Sequence, residues 1–431
     1  MRSKKPFSAG KPTFAMFITL LLASAIVPTQ AQARKFKVLH TFHGKDGANP
    51  VSVLVRDNEG DLYGTTGIGG TGKCSQYGCG TAFKLDNAGK QVWLHSFEGG
   101  SGYVPYSGLL RDASGNLFGT TANGGKINNT CGGIQAGGCG VVFEIDKTGK
   151  TEKVLHKFTG DPDGFFPEAL LVKDAAGNLY GTAYVGGNFG LGAVFKINTT
   201  GKERVLYSFT GGADGCFPYP GVTLDTAGNL YGVTSLGGSG FCNSGYGVVF
   251  KVDTAGDETV LHTFEGSDGY DPDSVLLFDS KGNLYGTTAH GGSSLGCGNT
   301  GCGTVFELSP QSGGQWSETL LYSFCSLSNC TDGETPGTGP LVRDSAGNLY
   351  GTTAVGGTYR NCNGEACGVV FKLDTNGKET VLHSFTGGAD GANPMAGLTR
   401  DSYGNLYGTT QAGGAICVQS FTCGVVFKIA P

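Results

Sequence analysis

The chain has 431 residues, 78 of them glycine, with only 15% charged residues and a formal net charge of −5. Glycine so far above the usual ~7% excludes helical bundles and coiled coils, and its clustering as GG, GN and DG excludes collagen. With 26 Phe and 17 Tyr wholesale disorder is excluded too, leaving an all-β protein rich in tight turns, without the basic stripe that nucleic acid requires.

Residues 1–33 read as a secretory signal. Arg2, Lys4, Lys5 and Lys11 form a basic start, Phe14 to Val27 is apolar, and Ala31-Gln32-Ala33 supplies a small-x-small cleavage pattern. The rival reading, a membrane anchor, is disfavoured because the apolar run is too short to span comfortably. No later apolar run approaches ~18 residues, so the mature chain is expected to have no membrane span. These features predict an exported protein, extracellular or periplasmic.

Past the signal, VLHTF (Val38 to Phe42) is the first predicted strand. Seven repeats follow, marked by LYGTT or a close variant around Tyr63, Phe118, Tyr180, Tyr231, Tyr285, Tyr350 and Tyr407. Each repeat has a GLVRD-type run, a DSAGN turn, the LYGTT run and a long glycine-rich loop. A GVVFKLD run, a DTNGK turn and an ETVLHSF run complete it. Alternation and the Val, Phe, Tyr and Thr content mark four short strands, and the two tight turns mark hairpins. Repeats roughly 50 to 65 residues long with four strands each suit propeller blades. The final repeat stops after VVFKIA, without its fourth strand. The expected fold is therefore an all-β, seven-bladed β-propeller of four-stranded antiparallel blades over residues 34–431. The lone N-terminal strand is expected to pair into the last blade and remove the open edge.

The recurring LYGTTxxGG, GxVFKLDxxGK and VLHSFxGxDGxxP strings resemble the Gloeo/Verruco tandem repeat of exported bacterial proteins, from about Lys37 to Pro431. That resemblance implies export and brings no established activity with it. The strand–DxxGN–strand layout is also similar to NHL-type propellers, which mostly serve as binding platforms.

Fourteen cysteines fit an exported protein. CxxC knuckles and histidines at zinc spacing are missing. Nearest-neighbour pairing gives the disulfides Cys74–Cys79, Cys131–Cys139, Cys297–Cys302, Cys325–Cys330, Cys362–Cys367 and Cys417–Cys423, with Cys216–Cys242 flanking one repeat. Strand order puts the DxxGN and DxxGK turns on one rim. The cysteine loops and the xGxDGxxP loops share the other, and function usually sits on long loops held by a rigid scaffold.

Several residues on that face are candidates. Asp46, Asp163, Asp214, Asp268, Asp332 and Asp390 recur at one position, replaced by Ser101 in the second repeat. They are either DG turn formers or a polar ring for a ligand near the channel mouth. Asp161, Asp163, Asp268, Asp271 and Asp273 are weak calcium candidates, because hard oxygen ligands suit that ion. No DxDxDG loop accompanies them, so no cofactor is expected otherwise. His40, His95, His156, His262 and His383 share one outer-strand position, where packing is the expected role. His290 is the one histidine placed in a long loop for ligand contact. GxSxG, P-loop, HExxH and kinase motifs are missing, so no catalytic residue is assigned. The reading favoured is a secreted, non-catalytic binding propeller for carbohydrate or a cell-surface protein partner. The alternatives are a secreted hydrolase or lyase with a top-face acidic site, assisted by calcium, and a structural envelope component.

Overall fold

Short runs of Leu, Tyr, Val and Phe between Gly/Asn turns fold here as hairpins, and the hairpins assemble into seven blades of four or five strands, with a separate two-stranded ribbon of Ile416–Val418 and Phe421–Thr422. The computed structural model describes residues 1, 35–126, 131, 137–294, 296–362, 365–418 and 421–431. The reading of residues 1–33 as a signal lies almost wholly outside them. In the first complete blade the strands are Val55–Arg56, Leu62–Thr66, Thr81–Leu85 and Gln91–Ser96, paired antiparallel in that order. The next five blades repeat the pattern. In the seventh, Thr399–Arg400, Leu406–Thr410 and Val425–Ile429 are completed by β1 (Phe36–Thr41) from the other end of the chain. The fold is thus a seven-bladed β-propeller closed by its N-terminal strand.

Turn chemistry fixes one rim. Asp57 Oδ1 accepts the amides of Glu59 and Asp61 at 3.1 and 2.9 Å, and its Oδ2 accepts the Tyr63 hydroxyl at 2.8 Å. Asp344 does the same with Ala346, Asn348 and Tyr350. The basic residue of the following blade then reaches back. Arg111 lies 3.8 Å from Asp57 and over the Tyr63 ring, Lys173 lies 3.3 Å from Asp112, and Arg343 lies 3.9 Å from Asp279. These cations link neighbouring blades rather than lining a charged channel.

Between blades the core is aromatic. The Phe that follows each outer strand meets, edge to face, the Phe of the third strand in the next blade. Phe97 and Phe143 are 5.0 Å apart, Phe158 and Phe195 5.1 Å, and Phe324 and Phe371 5.0 Å. Phe42, after β1, meets Phe83 at 5.2 Å and joins blade seven to blade one. Both rings are fully buried. The invariant glycine of LYGTT makes room for this layer. A Cβ on Gly64 would stand 2.7 Å from the Phe83 ring. Such aromatic pairs contribute about 0.5–1.5 kcal/mol each beyond area burial, seven times around the ring.

Candidate functional site: channel mouth and stapled-loop face

Each blade is entered through a proline: Pro50, Pro105, Pro167, Pro218, Pro272, Pro336 and Pro394. The residue before each is non-glycine and left-handed, with φ between 52° and 60° for Asn49, Val104, Phe166, Phe217, Asp271, Thr335 and Asn393. Such a conformation is strained and persists only where neighbours enforce it. Here the preceding blade does so. The Val104 amide donates to the Cys79 carbonyl at 3.0 Å, Phe166 to Cys139 at 3.2 Å, Thr335 to Cys302 at 2.9 Å, Asn393 to Cys367 at 2.9 Å and Asn49 to Cys423 at 3.1 Å. In the remaining blades Leu191 and Tyr246 supply the carbonyl to Phe217 and Asp271. The second cysteine of a stapled loop therefore grips the bend of the next blade.

Six expected disulfides are formed: Cys74–Cys79, Cys131–Cys139, Cys216–Cys242, Cys297–Cys302, Cys325–Cys330 and Cys362–Cys367. The seventh involves Cys417, whose side chain lies outside the described residues.

The bend is followed, after each proline, by a residue that differs from blade to blade. Those residues are Val51, Tyr106, Glu168, Tyr219, Asp273, Gly337 and Met395. Val51, Tyr106, Glu168, Tyr219 and Met395 line a cavity of about 200 Å³. One arc is apolar. The other, from blades two to five, carries tyrosines and acids. Burial pushes Glu168 up to about 7, although the Tyr219 hydroxyl beside it acts in the opposite sense. Burial, and then the neighbouring Asp271, push Asp273 well above the carboxylate range. Asp271 is raised by burial despite His290, whose Nδ1 lies 3.8 Å from it, and despite the opposing effect of the Ser235 side chain. Tyr184 packs against Phe217 and Tyr219 at 5.1 and 5.8 Å beside these acids.

A second concavity on the loop side measures about 630 Å³. Its walls include Tyr77, Asn361 and Thr422 from the stapled loops of blades one, six and seven, with Asn49, Asn393 and Gln411. Gln411 lines the channel cavity as well.

The recurring aspartates stand elsewhere, against the outer strands. Asp46 pairs with His40 at 3.1 Å, Asp163 with His156 at 3.2 Å, Asp268 with His262 at 2.9 Å and Asp390 with His383 at 3.0 Å. Asp214 and Asp332 accept the hydroxyls of Tyr207 and Tyr322 at 2.9 and 2.8 Å. Where Ser101 replaces the acid, both it and His95 bond Glu152 of the next blade, at 2.8 and 3.1 Å. Thus the shared histidine position and the shared aspartate position form one device. Each such histidine also meets a Phe edge to face, as His40 meets Phe42 at 4.8 Å.

His290 and Asp271 are brought together, and Asp273 stands in the same arc; Asp161 is exposed on its loop. Among the described residues, three groups gather three or more ligand atoms within 4.8 Å: Cys297, Cys302, Cys325 and Cys330; His156, Asp163 and Glu203; Asp57, Glu59 and Asp61. The first is two disulfides and the third is the hairpin turn described above. Asp163 is the one calcium candidate in any such group.

The channel ring was missed in the sequence reading. Its signal is a position that varies from Val to Tyr, Glu, Asp, Gly and Met beside an invariant proline.

Fold and site together define a ring of tandem repeats whose disulfide-stapled loops frame a channel mouth. The chain belongs to the Gloeobacter/Verrucomicrobia repeat family, whose model matches residues 75–300 and 244–431. Comparison with curated proteins finds no match. Among solved structures, the extracellular domain of a protein assigned as a hybrid two-component system from B. thetaiotaomicron is similar at 13% identity and a TM-score of 0.54, over 92% of this chain. This chain spans 41% of that one's length. A copper-bound fungal alcohol oxidase is similar at 13% identity and a TM-score of 0.57, over 93% of this chain and 77% of that one. At such identities the likeness is one of fold. No helix among the described residues is long and apolar enough to cross a membrane.

Proposed function

We propose that this protein is an exported, non-catalytic binding propeller that recognises a carbohydrate in the groove between the stapled loops of blades six, seven and one. The observation that carries this reading is the lining of the 630 Å³ groove: Asn49, Asn361, Asn393, Gln411, Thr422 and Tyr77, without an acid or a base. Amides offer donors and acceptors side by side, as vicinal hydroxyls do, and a tyrosine offers a flat apolar face. The volume is that of a small-molecule site. Disulfide-held loops are preorganised, which reduces the entropy lost on binding. The paired cysteines fit an oxidising compartment, and residues 1–33 are the proposed signal that delivers the chain there.

A glycan-array screen of chain 34–431 tests this. Binding to a neutral glycan that is lost in Asn393→Ala and Gln411→Ala supports it. Clean negatives, with specific protein capture on the same face, replace the sugar by a protein partner. The Asp271–His290 contact is what favours the hydrolase alternative. Release of reducing ends from a bound glycan, lost in His290→Ala, would establish that reading instead.

A further inference from the structure

We propose that a basic pocket between two loops of blade one takes an anionic substituent, a carboxylate or a sulfate, carried by the glycan in the groove. The inference rests on the groove reading and adds to it the charge of the ligand.

The pocket lies between the loop that follows β1 and the stapled loop of blade one, and it measures about 380 Å³. His43, Lys45 and Lys73 line it, and no acid does. Backbone contacts hold the two loops together, so lysines from separate segments meet at one cavity. The Gly70 amide donates to the Gly44 carbonyl at 2.8 Å, and a Cβ on Gly69 would stand 2.5 Å from that same oxygen. The Gly69 amide donates to the Tyr77 carbonyl at 2.7 Å, and the Cys74–Cys79 staple begins at the residue after Lys73. Asp46, next to Lys45 in the chain, is taken up by His40 at 3.1 Å and by the His43 amide at 2.6 Å, and lies 3.9 Å from the His43 ring. The lysines and arginines paired with acids among the described residues are Lys84, Arg111, Lys173 and Arg343. Lys45 and Lys73, both exposed, are left to a ligand.

This pocket departs from the repeat. At the position of Lys45 the other blades have Gly100, Pro162, Ala213, Ser267, Thr331 and Ala389. At the position of Lys73, before the first cysteine of the staple, blades two, five, six and seven have Thr130, Gly296, Asn361 and Ile416. The loops form in those blades without either lysine, so folding does not require them. On a chain whose formal net charge is −5, two lysines in one cavity without an acid also run against the average surface. An ammonium is a point charge with three donors, which takes a carboxylate or a sulfate without demanding one geometry. Tyr77 lines both this pocket and the groove. A sugar at Tyr77 can thus present its substituent to the lysines while the rest of the glycan runs towards Asn393 and Gln411.

A glycan array on which each backbone is printed neutral, as its uronate and as its sulfate ester tests this on chain 34–431, followed by calorimetric titration of the best-bound set. An acidic member is expected to bind about tenfold tighter than its neutral counterpart, by two exposed ion pairs, and the gap should close as salt rises. Which acidic member leads tells carboxylate from sulfate. Lys45→Gln with Lys73→Gln should close the gap at unchanged melting temperature. Lys90→Gln with Lys150→Gln, which removes the same charge from the opposite rim, should leave it. Equal affinity for neutral and acidic members, a gap that survives loss of Lys45 and Lys73, or one closed equally by the control pair each overturn the proposal. Neutral binding that is lost in Gln411→Ala leaves the groove reading standing in all three cases. A gap that needs Lys45 and Lys73 but ignores Asn393→Ala and Gln411→Ala upholds the pocket and overturns the groove, and binding of no member overturns both.

Discussion

The amide of Val104, a left-handed residue at the entrance to blade two, donates at 3.0 Å to the carbonyl of Cys79, the second cysteine of a staple in blade one. The backbone contact recurs around the ring, and in five of the seven blades the accepting carbonyl belongs to a cysteine. It joins the disulfides to the channel: a staple holds its carbonyl, the carbonyl holds a strained bend, and the bend leads, as at Tyr106, to a side chain of the channel cavity.

Removing one staple should therefore act at a distance. Cys74→Ser with Cys79→Ser is expected to destabilise the fold by about 2 kcal/mol in the chain-entropy treatment of so short a loop. Hydrogen exchange should quicken at Val104 and at Tyr106, which lies two residues on. Faster exchange confined to residues 71–80 would show that the staple stiffens only its own loop.

Ring closure makes a second prediction. Phe42→Ala removes a fully buried ring that packs on Phe83 across the seam between the chain's two ends. A loss of about 3–5 kcal/mol is expected in urea unfolding. Deleting residues 34–42 should go further and leave Val425–Ile429 as an open edge prone to self-association, measured by size exclusion. A truncated chain that melts like the intact one contradicts the closure.

Glycine content becomes testable at two positions. Gly64→Ala places a Cβ 2.7 Å from Phe83 and is expected to lose about 1–3 kcal/mol by overpacking. Gly100→Ala meets nothing within 4 Å and should be neutral in the same assay.

Stability should also fall on the alkaline side. Burial raises Glu203 and Glu258 to about 7 and Glu379 to about 8, with Asp163, Asp214 and Asp332 nearby adding to the effect. A carboxyl raised in the fold binds protons more tightly folded than unfolded. Its contribution is complete below the unfolded value of about 4.3 and is lost as pH rises towards about 8. Asp46, Asp268 and Asp390 act in the opposite sense. Burial alone would raise them, but bonds from His40, His262 and His383 prevail and lower them, so their contribution disappears as pH falls below the ordinary carboxylate value. Melting temperature should decline between about pH 5 and pH 8, and Glu379→Gln should flatten that decline. A profile unchanged by that substitution removes the carboxyl pair as its cause.

Much of this architecture was legible in the sequence. Turns such as Asp344 to Asn348 fix the hairpins, and the surplus strand at Val38 to Phe42 matches the missing one after Ala430. What could not be read was partnership across elements. His156 and Asp163 each stood out as members of a repeated column, but nothing in one dimension says that the columns bond. The channel ring was hidden for the opposite reason. Glu168, Tyr219 and Asp273 share a position yet share no chemistry, so they do not register as a motif. Only the left-handed bend before each proline brings Glu168 and Tyr219 to one cavity.

The most direct test of the binding face is hydrogen–deuterium exchange on chain 34–431 with and without a bound glycan from the array. Protection is predicted in segments containing Tyr77, Asn361, Asn393 and Gln411, with the DxxGN turns at Asp57 and Asp344 unchanged. Protection at those turns, or none on the stapled-loop side, would contradict the account.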